Sequence, residues 1–339
     1  MARIGVFGAT GQVGAVMLRL LAERDFPLDS IRLFASARSA GTTLSTPFGD
    51  LEVEEADGAD LTGIDVALCS MGAAASRSLA PSIAAAGAVV VDNSSAWRMD
   101  PEVPLVVPEV NGHALGHVPK GIVANPNCTT MVCMAPLAVL RDAAGLERVV
   151  ASTYQAVSGA GRAGVAELAG QVEKAGPDAS LLAFDGEAAD LGEASQFPRP
   201  IAYNVVPLAG KLVDSETDEE HKFRNETRKI LELDRLGVSC TCVRVPVYTG
   251  HSISLNVQLS RPMGEDEAAE VLGRAPGVVL ADIPTPLLAA GKDPTYLGRI
   301  RRDTSVDAGL SLFVSGDNLR KGAALNAVQI AESLVGSSR

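Results

Sequence analysis

Apolar residues arrive along this chain in two rhythms. In the first third, short and nearly continuous apolar runs alternate with stretches in which apolar positions recur every three or four residues. Ala2–Phe7 predicts a buried strand, and Val13–Glu23 predicts a helix. Ile31–Ala35, Asp65–Ser70, Ala88–Asp92 and Ile122–Ala124 predict further strands with Gly- or Asn-marked ends. An Ala-rich helix over about Ser76–Ala86 separates two of them, and a helix over about Thr129–Arg141 follows the last. Strands alternating with helices predict an α/β fold with a doubly wound parallel sheet, whose ligands gather at the carboxyl ends of the strands.

Beyond that point the pattern changes. Val149–Val157, Val238–Tyr248 and Ser252–Ser260 are longer and alternate, and the last two are predicted to pair as neighbouring strands around Thr249-Gly250. A Gly/Pro/Ala-rich stretch over 176–210 predicts irregular structure, and Glu216–Leu236 a very polar helix. Asn318–Val335 predicts an amphipathic helix with Leu319, Ala323, Ala327, Ile330 and Leu334 available for burial.

A length of 339 residues accommodates two domains, and 47% hydrophobic with 21% charged residues is ordinary for a globular protein. The net charge of −12 argues against nucleic acid or an anionic membrane as partner, while leaving room for a locally basic pocket. Five cysteines, unevenly spaced, do not make a disulfide framework. Met1 leads directly into a strand, and the longest apolar run, Met131–Leu140, contains Pro136. The expectation is a cytoplasmic protein.

The first strand runs into Gly8-Ala9-Thr10-Gly11-Gln12-Val13-Gly14, which opens the first helix. Glycines so placed allow a tight turn and let a pyrophosphate approach the helix N-terminus. After the second strand come Ala35-Ser36-Ala37-Arg38-Ser39, with no acid until Asp50. Hydroxyls and a guanidinium suit a 2′-phosphate, so NADP(H) is expected over NAD; the alternative is a solvated loop arginine.

Cys128, in Asn125-Pro126-Asn127-Cys128-Thr129-Thr130, sits at a strand-to-helix junction. Unpaired amides and the dipole of a helix N-terminus favour a thiolate there, hence a nucleophile. Asn127 and the helix amides are candidates for an oxyanion hole. Cys69 and Cys133 read as core, Cys240 and Cys242 alternate along a strand, and no spacing proposes a metal site. His251 follows a Gly turn and suits proton transfer near neutral pH; Arg244 suits a bidentate grip on a carboxylate. Gln155, leading into Ser158-Gly159-Ala160-Gly161, suits orientation of an acyl group. Glu219 and Lys222 share a helix face, and Arg98 follows Trp97; a solvated role is the alternative for each.

Together these motifs resemble the aspartate-β-semialdehyde dehydrogenases. GATGQVG (8–14), SSAWRMDPEVPLVVPEVN (94–111), NPNCTT (125–130), YQAVSGAG (154–161), NETRKIL (225–231), CVRVPVYTGHS (242–252) and DNLRKGAALNAVQIAE (317–332) span almost the whole chain in the family's order. The resemblance implies NADPH-dependent reduction of L-aspartyl-4-phosphate to L-aspartate-4-semialdehyde with release of phosphate, on the way to lysine through diaminopimelate, methionine, threonine and isoleucine. It implies Cys128 as nucleophile, His251 as acid–base, and Gln155, Arg244 and Glu219 as substrate contacts, with Glu220 an alternative register for Glu219. Arg98 and Lys222 resemble phosphate-site cations. Thr10, Gly11, Gln12, Val13, Arg38, Ser39, Ser158, Gly159 and Asn318 resemble cofactor contacts. It further implies a Rossmann-like NADP-binding domain (1–127 with 318–339), an α+β catalytic and dimerisation domain (128–317), a C-terminal helix returning to the first domain, and a homodimer.

The nearest rival is another phosphate-coupled aldehyde dehydrogenase, such as an N-acetyl-glutamyl-phosphate reductase, whose substrate lacks a free α-amino group. A short-chain dehydrogenase is disfavoured, because no Tyr here is followed four residues later by Lys. An NADP-sensing binding protein without turnover would need the Gly-rich loop but not Cys128, Gln155, Arg244 and His251 together.

Overall fold

The computed structural model describes residues 1–337. The chain forms two compact units. The first comprises Met1–Met134, Asn225–Asp234 and the chain from Leu319; the second comprises Ala135–Arg224 and Arg235–Asn318. Cys128–Met134 and Asn225–Asp234, both inside the stretch 128–317 expected to form the second domain, lie with the first unit.

The first unit is built on seven strands: β1 (Ala2–Phe7), β2 (Leu28–Ala35), β3 (Thr43–Thr46), β4 (Gly49–Glu55), β5 (Val66–Cys69), β6 (Val89–Asp92) and β7 (Ile122–Ala124). Their order is β3-β4-β2-β1-β5-β6-β7, parallel except for the β3–β4 hairpin. β5, β6 and β7 read as solid apolar runs because helices cover both faces of such a sheet. Helix α1 (Gln12–Glu23) buries Met17, Leu18, Leu20 and Leu21, and α2 (Ala73–Ala85) buries Ala80 and Ile83. The chain leaves β1 toward β2 on one side and returns to β5 on the other, so the strand order reverses at β1, where a doubly wound sheet binds ligands.

The C-terminal helix, Leu325–Ser337, packs Leu325, Ala327, Val328 and Ile330 into the same core as Ile4, Met17 and Leu33. This confirms its return to the first domain. Arg24, just past α1, pairs with Glu332 of this helix at 2.7 Å, and Arg320, ahead of the helix, pairs with Glu23 of α1 at 2.6 Å. The predicted continuous helix from Asn318 differs in one respect: Arg320–Ala324 is a π-helical turn, and Asn318 lies before it in the second unit.

Helix α3 (Cys128–Ala144) leads into the strand β8 (Leu146–Gln155) of a mixed six-stranded sheet. Helix α4 (Gly161–Ala175) and the polar helix α5 (Asp218–Leu231) precede β9 (Gly237–Arg244) and β10 (His251–Leu259), followed by β11 (Val278–Leu280), β12 (Thr295–Asp303) and β13 (Gly309–Gly316). The order is β9-β8-β10-β13-β12-β11.

The predicted pairing of Val238–Tyr248 with Ser252–Ser260 is therefore wrong. β8 lies between them, parallel to β9 and antiparallel to β10. The physical reason is that β9 ends at Arg244, and Val245–Tyr248 crosses the end of β8 instead of turning. Val245 donates to the Gln155 carbonyl at 3.1 Å, and Val157 and Ser158 donate to the carbonyls of Val247 and Tyr248 at 2.8 and 3.0 Å. This crossing gathers the ends of β8, β9 and the start of β10 at one place.

Candidate active site

In the first unit, Gly8 closes β1 at φ +80°, and a Cβ there would lie 2.4 Å from the Ser70 carbonyl oxygen. A Cβ on Gly14 would lie 2.4 Å from the Gly8 carbonyl oxygen, so only glycine lets α1 pack against the turn. Gly11 caps α1 without any side-chain acceptor for its first amides. Gln12 Oε1 is buried with no hydrogen-bond partner among the described residues. A cavity of about 470 Å³ lies here, at the carboxyl ends of β1, β2, β4 and β5, lined by Gly8, Thr10, Gly11, Ser36 and Ser70 among others. Uncapped amides and a cavity of this size fit a dinucleotide, with its phosphates on the loop that includes Thr10, Gln12 and Val13. Arg38 and Ser39 stand on the turn after β2, Arg38 exposed. The sequence reading noted no acid on that turn; Glu55 and Asp57 reach the same cavity from the end of β4.

Cys128 is the first residue of α3 and is partly exposed, whereas Cys69 and Cys133 are fully buried, which pushes both thiols up. Asn127 caps the helix: its Oδ1 accepts from the amides of Thr129 at 3.0 Å and Thr130 at 3.4 Å. Those two amides are committed to the cap, which removes them from the predicted oxyanion hole. Arg98 is buried beside the same loop. Its Nε donates to the Asn125 carbonyl at 2.9 Å, Nη2 to the Asn93 carbonyl at 3.0 Å, and Nη1 to Glu226 Oε1 at 3.0 Å.

In the second unit the main chain of Ala156 organises two predicted site residues. Its amide donates to Nδ1 of His251 at 3.0 Å, and its carbonyl accepts from Nη1 of Arg244 at 2.7 Å. His251 is fully buried; burial first, and then the neighbouring Arg244, hold its pKa well below the usual histidine range. The ring is neutral and, with Nδ1 accepting, carries its proton on Nε2. It is thus a donor as it stands; service as a base requires the other tautomer and loss of the Ala156 contact. Gly159 faces this pair: a Cβ there would lie 2.9 Å from Arg244 Nη1 and 3.3 Å from His251 Nε2. Asn318 donates to Ser158 Oγ at 2.9 Å and accepts from the Gly250 amide at 2.8 Å, joining two predicted cofactor contacts to the turn before His251.

Gln155, 1% exposed at the end of β8, donates to Glu219 Oε2 at 3.3 Å. Lys222 pairs with Glu219 at 2.8 Å and Asp218 at 2.7 Å. Burial lowers the Lys222 pKa, but Glu219 and Asp218 outweigh it and hold the ammonium above its ordinary value. The two glutamates of the uncertain register have different tasks. Glu220 accepts from the Thr217 amide at 2.7 Å while Thr217 Oγ1 accepts from the Glu220 amide, a reciprocal capping box; its other oxygen takes the Cys242 amide at 2.9 Å. Glu219 is the one that meets Gln155.

The sequence reading missed Glu226, whose signal is an acid within an apolar stripe: Phe223, Glu226, Thr227 and Ile230 are all buried on α5. It also missed the Ala156 main chain, for which a sequence holds no signal.

Residues 3–118 match the family model described as semialdehyde dehydrogenase, NAD binding domain, and 137–321 match the semialdehyde dehydrogenase dimerisation domain. Over 333 residues the chain is 62% identical to the aspartate-semialdehyde dehydrogenase of Streptomyces akiyoshiensis, covering 97% of each. The chain belongs to the aspartate-semialdehyde dehydrogenase family. It is 56% identical to the Corynebacterium glutamicum member, over 99% of this chain and all of that one. Among solved members, aspartate semialdehyde dehydrogenase II of Vibrio cholerae, complexed with ASA, superposes with a TM-score of 0.92 at 42% identity, covering 99% of this chain and 98% of that one. The Candida albicans enzyme with NADP gives 0.75 at 26%, covering 98% of each.

Proposed function

We propose that this chain is an NADP-dependent aspartate-semialdehyde dehydrogenase, converting L-aspartyl-4-phosphate to L-aspartate-4-semialdehyde and phosphate through a thioester on Cys128. The observation that carries this reading is a partly exposed thiol opening a helix whose N-terminus is capped by its neighbour Asn127. The Cys128 sulfur attacks the acyl carbon, the C–O bond to phosphate breaks, and the proton lost by the thiol is balanced by the one that phosphate gains. The bound dinucleotide, held by the Gly8–Gly14 loop and Arg38, supplies a hydride. The hemithioacetal oxyanion left on Cys128 then collapses to the aldehyde and a thiolate, which regains from solvent the proton that left with phosphate. His251, with its proton on Nε2 while Nδ1 accepts from Ala156, is assigned the hydrogen-bond donor role in that collapse.

Arg244, fixed by the Ala156 carbonyl, grips the α-carboxylate, Gln155 orients the acyl group, and Glu219 takes the α-ammonium. Arg98 and Lys222 are the cations assigned to phosphate, which accounts for an acidic protein accepting an anionic substrate. The first unit carries the dinucleotide loop, Cys128 and Arg98, and the second carries Gln155, Arg244, Glu219, His251 and most of the dimerisation-domain match, in a cytoplasmic homodimer. No helix among the described residues is long and apolar enough to cross a membrane.

Initial rates with aspartate semialdehyde and with N-acetyl-glutamate semialdehyde, each with phosphate and NADP⁺, test the substrate. The expected result is turnover of the first alone; preference for the acetylated compound overturns the assignment.

A further inference from the structure

Glu226 is 1% exposed, and both its carboxylate oxygens serve the region around the nucleophile. Oε1 accepts from Arg98 Nη1 at 3.0 Å; Oε2 accepts from the Asn127 amide at 2.6 Å, one residue before Cys128. One turn along α5, Lys229 donates to the carbonyls of Arg98 at 2.8 Å, Asp100 at 2.8 Å and Val103 at 2.9 Å. These two side chains grip the Arg98 turn from both its guanidinium and its backbone. The Asn127 cap, and with it the start of α3, is held to the same carboxylate.

A buried ion pair contributes little net stability compared with an apolar pair of the same volume, but breaking it leaves an uncompensated charge. Its value here is geometric. A salt bridge alone would leave one oxygen for water; this carboxylate joins a cation assigned to the leaving phosphate to the backbone of the residue that caps the nucleophile helix. The other charged groups facing the pair are occupied: Asp92 accepts from Ser94 at 2.6 Å, and Lys229 has its three carbonyls.

We propose that Glu226 is a positioning residue for the thioester chemistry, its carboxylate bracing the Arg98 guanidinium against the Asn127 amide so that thiol and phosphate site keep one fixed spacing. The inference rests on the assignment of Cys128 and Arg98 given above. An amide at this position can accept from only one of the two donors, and its NH₂ then faces the other. An aspartate keeps the charge but is one methylene short of spanning both.

The test uses the full chain carrying Glu226→Gln or Glu226→Asp. Two readouts are taken: turnover of aspartate semialdehyde with phosphate and NADP⁺, and the pH midpoint of Cys128 alkylation by iodoacetamide, followed by peptide mass spectrometry. E226Q is expected to lose about 10–100-fold in kcat, the order of loss caused by a displacement of about 1 Å. Its alkylation midpoint is expected to fall by about half a unit or more, because Arg98 is left without its counter-charge. E226D is expected to restore the midpoint while kcat stays low. Any other pair of results in folded protein overturns the proposal; a fall in kcat with an unmoved midpoint in E226Q marks a merely structural residue. If E226Q does not fold, E226D with low kcat and a wild-type midpoint supports the proposal, and wild-type kcat overturns it. Failure of both variants to fold also overturns it, in favour of a stability role. Alkylation needs no substrate, so a wild-type protein inactive on aspartate semialdehyde would refute the functional reading while the midpoints still judge Glu226.

Discussion

Replacing Glu219 or Glu220 by glutamine changes adjacent residues by the same few atoms, yet the structure gives the two changes opposite consequences. Glu220 accepts two backbone amides, from Thr217 at 2.7 Å and Cys242 at 2.9 Å. Glutamine keeps one acceptor oxygen, so one charge-assisted bond is lost and a donor–donor contact replaces it. Such a loss costs about 1.5–3 kcal/mol of stability. Glu219→Gln loses the charge beside Lys222 and one of the two acceptors that serve Lys222 and Gln155; the Glu219 and Lys222 side chains are 14% and 25% exposed, and Lys222 keeps Asp218 at 2.7 Å. A partly solvated pair with a remaining partner costs about 1 kcal/mol or less. What Glu219→Gln removes instead is the negative charge proposed above to take the substrate's ammonium, worth about 1.4–2.8 kcal/mol, or about 10–100-fold in KM. Urea unfolding followed by circular dichroism and KM for aspartate semialdehyde measure the two effects. Glu220→Gln should lower the unfolding midpoint with KM nearly unchanged, and Glu219→Gln should do the reverse. The opposite assignment of the two effects would refute the reading of α5.

Three further outcomes follow from the same geometry. Gly159→Ala places a methyl 2.9 Å from Arg244 Nη1 and should raise KM for the semialdehyde about tenfold while the fold persists; unchanged KM and kcat would show that Arg244 and His251 can retreat without cost. Arg38→Ala should weaken NADPH far more than NADH in a fluorescence titration, and equal weakening would remove Arg38 from the 2′-phosphate. His251 is buried and neutral with its pKa depressed, so the unfolded chain takes up a proton below about pH 6.5 that the folded chain refuses. The stability associated with the neutral ring is present above that pH and lost below it, at up to about 1.4 kcal/mol per pH unit. His251→Asn should flatten that part of the acid limb in denaturant titrations, and an unaltered limb would contradict the burial argument.

The nucleotide-binding half was legible because its signals are local. A buried strand, three glycines at fixed spacing and a helix follow one another within Ala2–Glu23, and Cys128 sits at a junction visible from Ile122 onward. The second unit was less legible because its arrangement is set by distant pairing. Alternation marks β9 and β10 as strands but carries nothing about β8 passing between them. The sequence carries no prediction for the helix Gly161–Ala175, which begins with Gly161 and buries Gly164, Leu168, Gln171 and Ala175, too weak an apolar stripe to declare itself. Glu219 and Glu220 are equivalent in sequence; only the capping box with Thr217 separates them. In sequence Glu226 is one more charge on a polar helix, and burial is what sets it apart.

The central claim, an acyl-enzyme on Cys128, is tested most directly by mixing the protein with aspartate semialdehyde and NADP⁺ in the absence of phosphate. The account predicts a burst of NADPH that stops near one equivalent per active chain, and an aspartyl group found by mass spectrometry on the peptide containing Cys128. Phosphate added afterwards should release that group and restart turnover. A Cys128→Ser variant that turns over at the wild-type rate, or an acyl group found on another residue, would contradict the claim.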